Sequence, residues 1–155
     1  MTGVLLADDH PMIRTAIEVL LRDTAFDIVG IAASGEETLR EVERLKPDIL
    51  LLDLQMPGGT GMDVLRSLRE DGPGVQIVLL TAAIDDSALM EARSLGVRGI
   101  VLKNSDPAYL LDCLGRVKRG GSWFDPELEA RAARLSEDRP GRPAPLAPRE
   151  RALIQ

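Results

Sequence analysis

Two carboxylates, a hydroxyl and an ammonium stand where apolar runs of the chain stop. Asp9 comes shortly after Val4-Leu5-Leu6-Ala7, Asp53 directly after Ile49-Leu50-Leu51-Leu52, Thr81 after Val78-Leu79-Leu80, and Lys103 after Ile100-Val101-Leu102. If those runs are parallel strands, their carboxyl ends share one sheet edge and the four side chains converge on one crevice. Asp8, beside Asp9, adds another carboxylate. Acids packed that closely repel one another, so at least one should have a raised pKa unless a cation lies among them. Magnesium, or manganese in its place, suits such a set: it prefers oxygen, keeps several waters and uses one or two carboxylates beside phosphate oxygens. Asp9 and Asp53 are the expected direct ligands, the backbone carbonyl of Gln55 a third, and Asp8 the holder of a coordinated water. Asp53 can then attack phosphorus to give an aspartyl-phosphate, a reaction that needs mainly positioning and charge neutralisation. Lys103 supplies positive charge, and Thr81 can donate its hydroxyl to a phosphoryl oxygen once phosphate has arrived.

The elements that must hold these groups alternate along the chain. Ile13, Ala16, Ile17, Leu20 and Leu21 recur at helical spacing after the first strand, with Pro11 suited to the first turn. Strand two is expected over Ile28 to Ala32, and Ser34 with Glu37 forms a capping-box pattern before Leu39, Val42 and Leu45. Strand three, Ile49 to Leu52, is apolar on both faces, as a central parallel strand should be. Thr60 caps a third helix with Val64, Leu65 and Leu68, and strand four runs from Val75 to Leu80. Asp85 or Asp86 caps a fourth helix ended by Gly96; strand five is Gly99 to Leu102, and Asp106-Pro107 opens a fifth helix. Strict alternation predicts an α/β fold, a doubly wound five-stranded parallel sheet with helices on both faces. The order 2-1-3-4-5 is taken from the resemblance to flavodoxin-like folds, not from the periodicity.

Composition narrows the function classes. Of the 155 residues 45% are hydrophobic, enough for a solid core, whereas aromatics are 3%, which disfavours base-stacking nucleic-acid modules. No apolar run approaches the roughly 20 residues of a membrane span, and no basic region precedes the first apolar segment. The sequence therefore predicts a soluble, cytoplasmic protein with no membrane partner. A single cysteine, Cys113, and a single histidine exclude a disulfide framework and a Cys/His zinc site. The formal charge is -6, and the excess of acids lies before residue 120, so no basic face for DNA is expected.

Asp8-Asp9, Asp53 followed by Met56-Pro57-Gly58 and Gly61, Thr81-Ala82, and Lys103 together resemble the signature of bacterial two-component response regulator receiver domains, over about residues 3–119. The ordered combination is far more specific than any part of it. Ala7-Asp8-Asp9-His10-Pro11 resembles the opening of the NarL/FixJ subfamily of transcriptional regulators, and Leu146-Ala147-Pro148-Arg149-Glu150-Arg151 looks like the first turn of its LuxR-type helix-turn-helix. The layout implied is a CheY-like receiver over 1–119, an extra helix over 120–136, a proline-rich linker over 137–146, and the start of a truncated DNA-binding domain over 147–155. The resemblance further implies phosphotransfer from the phosphohistidine of a sensor histidine kinase to Asp53, with Lys103 and Thr81 contacting the phosphoryl group. Thr81 then moves inward, the surface of helix four, strand five and helix five is reshaped, and a homodimer forms. DNA is reached only through the missing output domain, and transcription is regulated. No enzyme activity is implied beyond self-phosphorylation and dephosphorylation.

Departures from the family pattern are few. Ile100 stands three positions before the lysine, where many receivers carry an aromatic, so no aromatic rotamer switch is expected. Asn104 follows Lys103 where proline is common, and a trans bond is the default there. Ala147 occupies the place of a capping threonine.

Plainer readings compete with each group taken alone. The Asp-Asp pair can be a helix cap favoured by the macrodipole. His10 reads as a first-turn residue, since magnesium prefers oxygen, and Cys113 as small packing. Gly58-Gly59 reads as a turn, because the Walker spacing is absent, and Gly120-Gly121 as a helix end. Trp123 and Phe124 are expected to pack a sixth helix, with Leu128, Ala132 and Leu135, against the body. Two other functions remain open. A dehalogenase-type phosphatase also uses an aspartate nucleophile, but needs a second aspartate where Gln55 stands. A receiver-like interaction module would work unphosphorylated, though its usual mark, loss of an acid or the lysine, is missing.

Overall fold

The computed structural model describes residues 1–58, 60–70 and 74–137. Strands and helices alternate as β1 (Thr2–Ala7), α1 (Pro11–Leu21), β2 (Phe26–Ala32), α2 (Gly35–Leu45), β3 (Ile49–Leu52), α3 (Gly61–Glu70), β4 (Gln76–Thr81), α4 (Asp86–Ser94), β5 (Gly99–Leu102) and α5 (Pro107–Lys118). A short β6 (Trp123–Phe124) and α6 (Pro126–Glu137) follow. The capping residues read from the sequence act as caps: Ser34, Asp85 and Asp106 each accept a backbone N–H of the helix they precede. Thr60 and Asp63 cap α3 reciprocally, each side chain accepting the other's backbone N–H.

All strand pairs are parallel, in the order β2-β1-β3-β4-β5-β6. The expected five-stranded sheet therefore has a sixth strand. Trp123 and Phe124 do more than pack α6: they pair with Gly99 and Ile100 along the otherwise open edge of β5. A two-residue strand carries no readable periodicity, and the free edge of β5 is what recruits it.

Alternate residues of each strand feed different cores, the period-two consequence of the pleat. Leu5, Leu50, Leu52, Ile77, Leu79 and Ile100 face the side covered by α2, α3, α4 and α6. Val4, Leu6, Ile49, Leu51, Val78, Leu80 and Val101 face α1 and α5. Leu128 and Ala132 of α6 are buried in the first of these cores with Leu89 and Ala92 of α4, so α6 shares the receiver's own core. No helix among the described residues is long and apolar enough to cross a membrane. Glu137, expected to begin the linker, instead ends α6; residues 138–146, the Gly59 part of the expected turn and the helix-turn-helix start at 147–155 lie outside the described residues.

Candidate functional site

Register brings the predicted side chains together. Ala7 pairs with Leu52, and Thr81 pairs with Leu102, so β1 and β3 end level, as do β4 and β5. Backbone bonds continue this alignment one residue further: Asp53 N–H donates to Ala7 O and Lys103 N–H to Thr81 O. Ligand atoms of Asp8, Asp9, His10 and Asp53 all lie within 4.8 Å of one another. Lys103 Nζ reaches into the same cluster, 2.7 Å from Asp8 Oδ2 and 3.1 Å from Asp53 Oδ2.

Charge in this crevice is unbalanced. Asp8 and Asp53 are buried, Asp9 is partly open, and the Lys103 ammonium pairs with Asp8 and Asp53 while Asp9 meets only the His10 ring. Burial pushes the Asp53 carboxyl above the ordinary aspartate range; the Gln55 N–H and Lys103 oppose this, and the Asp8 charge adds to it. Asp9 Oδ1 is buried without a hydrogen bond, 3.3 Å from His10 Nδ1, and Asp8 Oδ2 has only the Lys103 ion pair. Two buried carboxylate oxygens that no hydrogen bond satisfies, in a cluster whose acids outnumber its one ammonium, suit a doubly charged, oxygen-preferring cation, so the residues fit magnesium or manganese.

His10 is where sequence reasoning fell short. Expected inside the first turn, it is instead the N-cap residue of α1. Its backbone N–H donates to Asp8 Oδ1 at 2.8 Å, which turns the ring back so that Nδ1 lies 2.8 Å from the same oxygen. Nδ1 is also 3.2 Å from Lys103 Nζ. One nitrogen serves only one of these: protonated it donates to Asp8, bare it accepts from Lys103. The only signal in the sequence was adjacency to the aspartate pair.

Thr81 is buried at its expected strand end, but its hydroxyl points along the loops that follow β3 and β4. Oγ1 lies 2.9 Å from Gln55 Oε1 and 2.9 Å from Ala83 O, and Gln55 Nε2 donates to Ala83 O at 3.3 Å. Gln55 N–H donates to Asp53 Oδ1 at 3.1 Å, so Gln55 links the central carboxylate to Thr81. The tight β3–α3 loop depends on Gly61, where an added Cβ would sit 2.6 Å from Asp53 O and from Leu54 Cα. Gly58, in the same loop, has φ +75, a conformation that disfavours side chains. Ile100 is fully buried, and no cis peptide occurs among the described residues.

Residues 4–114 match the family model described as the response regulator receiver domain. The chain belongs to that family. Among curated relatives, the response regulator protein VraR of Staphylococcus aureus is 33% identical over 126 residues, 81% of this chain and 60% of VraR. The chain thus spans 60% of the length of the curated relatives it matches. Among solved structures, the isolated REC domain of RcsB from Salmonella enterica serovar Typhimurium, with the phosphomimetic BeF3-, superposes with a TM-score of 0.77 at 26% identity. That match covers 86% of this chain and 97% of the RcsB domain. A LuxR-family two-component response regulator from Aurantimonas sp. SI85-9A1 gives a TM-score of 0.81 at 27% identity, covering 89% and 100%. Receiver domains of LuxR-type regulators are therefore this chain's structural kin, and the CheY-like fold expected from the sequence is the one found.

Proposed function

We propose that this chain is the receiver of a transcription-regulating two-component response regulator, and that Asp53 accepts a phosphoryl group from the phosphohistidine of a sensor histidine kinase. The observation that carries the reading is the buried Asp53 carboxylate lying 3.1 Å from Lys103 Nζ, with Asp8 and Asp9 beside it. Lys103 neutralises charge on the incoming phosphoryl group and holds Asp53 Oδ2 in place. An oxygen of Asp53 forms the bond to phosphorus while the phosphorus–nitrogen bond of the donor breaks and its electron pair returns to the imidazole. Asp9 and Asp53, with the Gln55 carbonyl, would hold the divalent cation, and Asp8 would act through a coordinated water. When bound, that cation supplies positive charge to the phosphoryl oxygens.

Thr81 then turns its hydroxyl from Ala83 O to a phosphoryl oxygen, a loop-gating step driven by local charge. A solved relative described as two RcsB dimers bound to two parallel DNAs supports homodimerisation and a DNA-binding output domain after the receiver. The domain limits read from the sequence, receiver to 119 with helix, linker and output start following, belong to this reading.

Incubation with magnesium and acetyl phosphate, followed by intact-mass analysis, tests it. A phosphoryl adduct on the wild type that base and hydroxylamine remove, that is missing from Asp53→Asn and that requires the cation is expected. Asp9→Ala should lose the cation dependence and most of the adduct together. Continuous phosphate release from organic phosphates would point instead to a phosphatase, and no adduct under any condition to an interaction module that works unphosphorylated.

A further inference from the structure

α6 is fastened to both loops that carry the phosphoryl-contacting residues. On one side, Arg131 Nη1 donates to Ile84 O at 2.6 Å, and its guanidinium lies 3.8 Å from Asp86 Oδ1. Ile84 is three residues beyond Thr81 and directly follows Ala83, whose carbonyl takes the Thr81 hydroxyl. On the other side, buried Asp125, just before α6, accepts from Ser105 Oγ at 2.5 Å, and Ser105 is two residues beyond Lys103. Between these ties Leu128 and Ala132 pack with Ile84, Leu89 and Ala92. Arg93 of α4 pairs with Glu129 at 2.5 Å and lies 4.4 Å over the Phe124 ring.

α4 is therefore packed at Leu89, Ala92 and Arg93 by the chain's own helix while the Thr81 hydroxyl faces Gln55 and Ala83. Turning Thr81 inward removes its contacts to Gln55 Oε1 and Ala83 O, leaves Ala83 O only the weaker Gln55 Nε2 donor at 3.3 Å, and so loosens the loop that presents Ile84 O. Two loosely coupled surfaces would not share this path; a helix tied to the carbonyl next to the switch does.

We propose that α6 is a sensor clamp for the phosphoryl site, docked on α4 while the Thr81 hydroxyl bonds Ala83 O and loosened when Thr81 turns toward a phosphoryl group on Asp53. This rests on the phosphoacceptor reading above. By linkage, weakening the clamp favours the inward state by the same factor that the inward state weakens the clamp. The chain continues from α6 into the proline-rich segment, so anything that follows is attached through this helix.

Hydrogen-exchange mass spectrometry on the full chain, with intact mass measured on the same samples, tests the clamp. Arg131→Ala without phosphodonor should speed amide exchange in α6 roughly tenfold, the effect of losing one hydrogen bond to a charged group. Wild type carrying the acetyl-phosphate adduct should show a rise of similar size, whereas Thr81→Ala, which already lacks the bond to Ala83 O, should exchange faster without the adduct and show no further rise with it. Unchanged α6 exchange in adduct-bearing wild type overturns the clamp and leaves the phosphoacceptor reading intact. So does a Thr81→Ala response equal to that of wild type, or an Arg131→Ala variant that exchanges like wild type. Failure of wild type to form any adduct overturns the phosphoacceptor reading, and the coupling with it.

Discussion

Replacing Lys103 by methionine keeps the length of the stem and removes the ammonium that serves Asp8 and Asp53 at 2.7 and 3.1 Å. Removing one partner of a buried ion pair costs about 3–5 kcal/mol, because the other charge is left uncompensated. The crevice opens toward water at Asp9, whose side chain is 34% exposed, so the lower end, about 3 kcal/mol, is expected. For a chain of this size that is a fall in Tm of roughly 6–12 °C. The loss belongs to the metal-free protein. A cation bound only by the folded state adds about 2.7 kcal/mol at a hundred times its Kd. It also meets no competing ammonium in the variant, so magnesium should stabilise Lys103→Met more than wild type. Urea denaturation followed by fluorescence of Trp123, the single tryptophan, measures both quantities in chelator and in magnesium. Equal stability of the two proteins in chelator, or greater magnesium stabilisation of wild type, would refute the electrostatic account of the site.

Asp53→Asn should be more stable than wild type in chelator at pH 7, by about 0.5–2 kcal/mol, while forming no adduct. A carboxyl raised by burial stabilises the fold below the ordinary aspartate range and loses that contribution as pH rises through its folded value. The advantage of asparagine must therefore shrink on acidification; denaturation midpoints at pH 7 and pH 3.5, the latter about half a unit below the free aspartate value, show whether it does. Gly61→Ala forces backbone apart at Asp53 O and Leu54 Cα, which should cost about 1–3 kcal/mol and slow adduct formation, both measurable on one preparation. Burial pushes the Cys113 thiol up to about 12, so iodoacetamide should leave it unmodified until the chain is unfolded. Rapid alkylation of folded protein would show that the α5 core is open.

The order of chemistry along the chain was legible because strand ends are punctuated. Apolar runs covered on both faces stop at Asp53, Thr81 and Lys103, and a parallel sheet leaves no choice but to put those stops on one edge. Helix starts were equally readable at Ser34, Thr60, Asp85 and Asp106, since capping is a contact between near neighbours in sequence. Tertiary structure decided what depends on partners far along the chain. The sixth strand exists because β5 offers an open edge, which two residues near Trp123 cannot advertise by themselves. Nor does a helical pattern reveal that α6 lies on α4 with Arg131 against Ile84 O, because amphipathicity says that a face is buried and not against what. The His10 ring joined the carboxylates through a backbone turn at Asp8, and the Thr81 hydroxyl was aimed at Gln55 and Ala83 by the packing of two loops. Residue types and local spacing determine which groups are available and at which end of the sheet; directions and distances arise only when segments separated by tens of residues come into register.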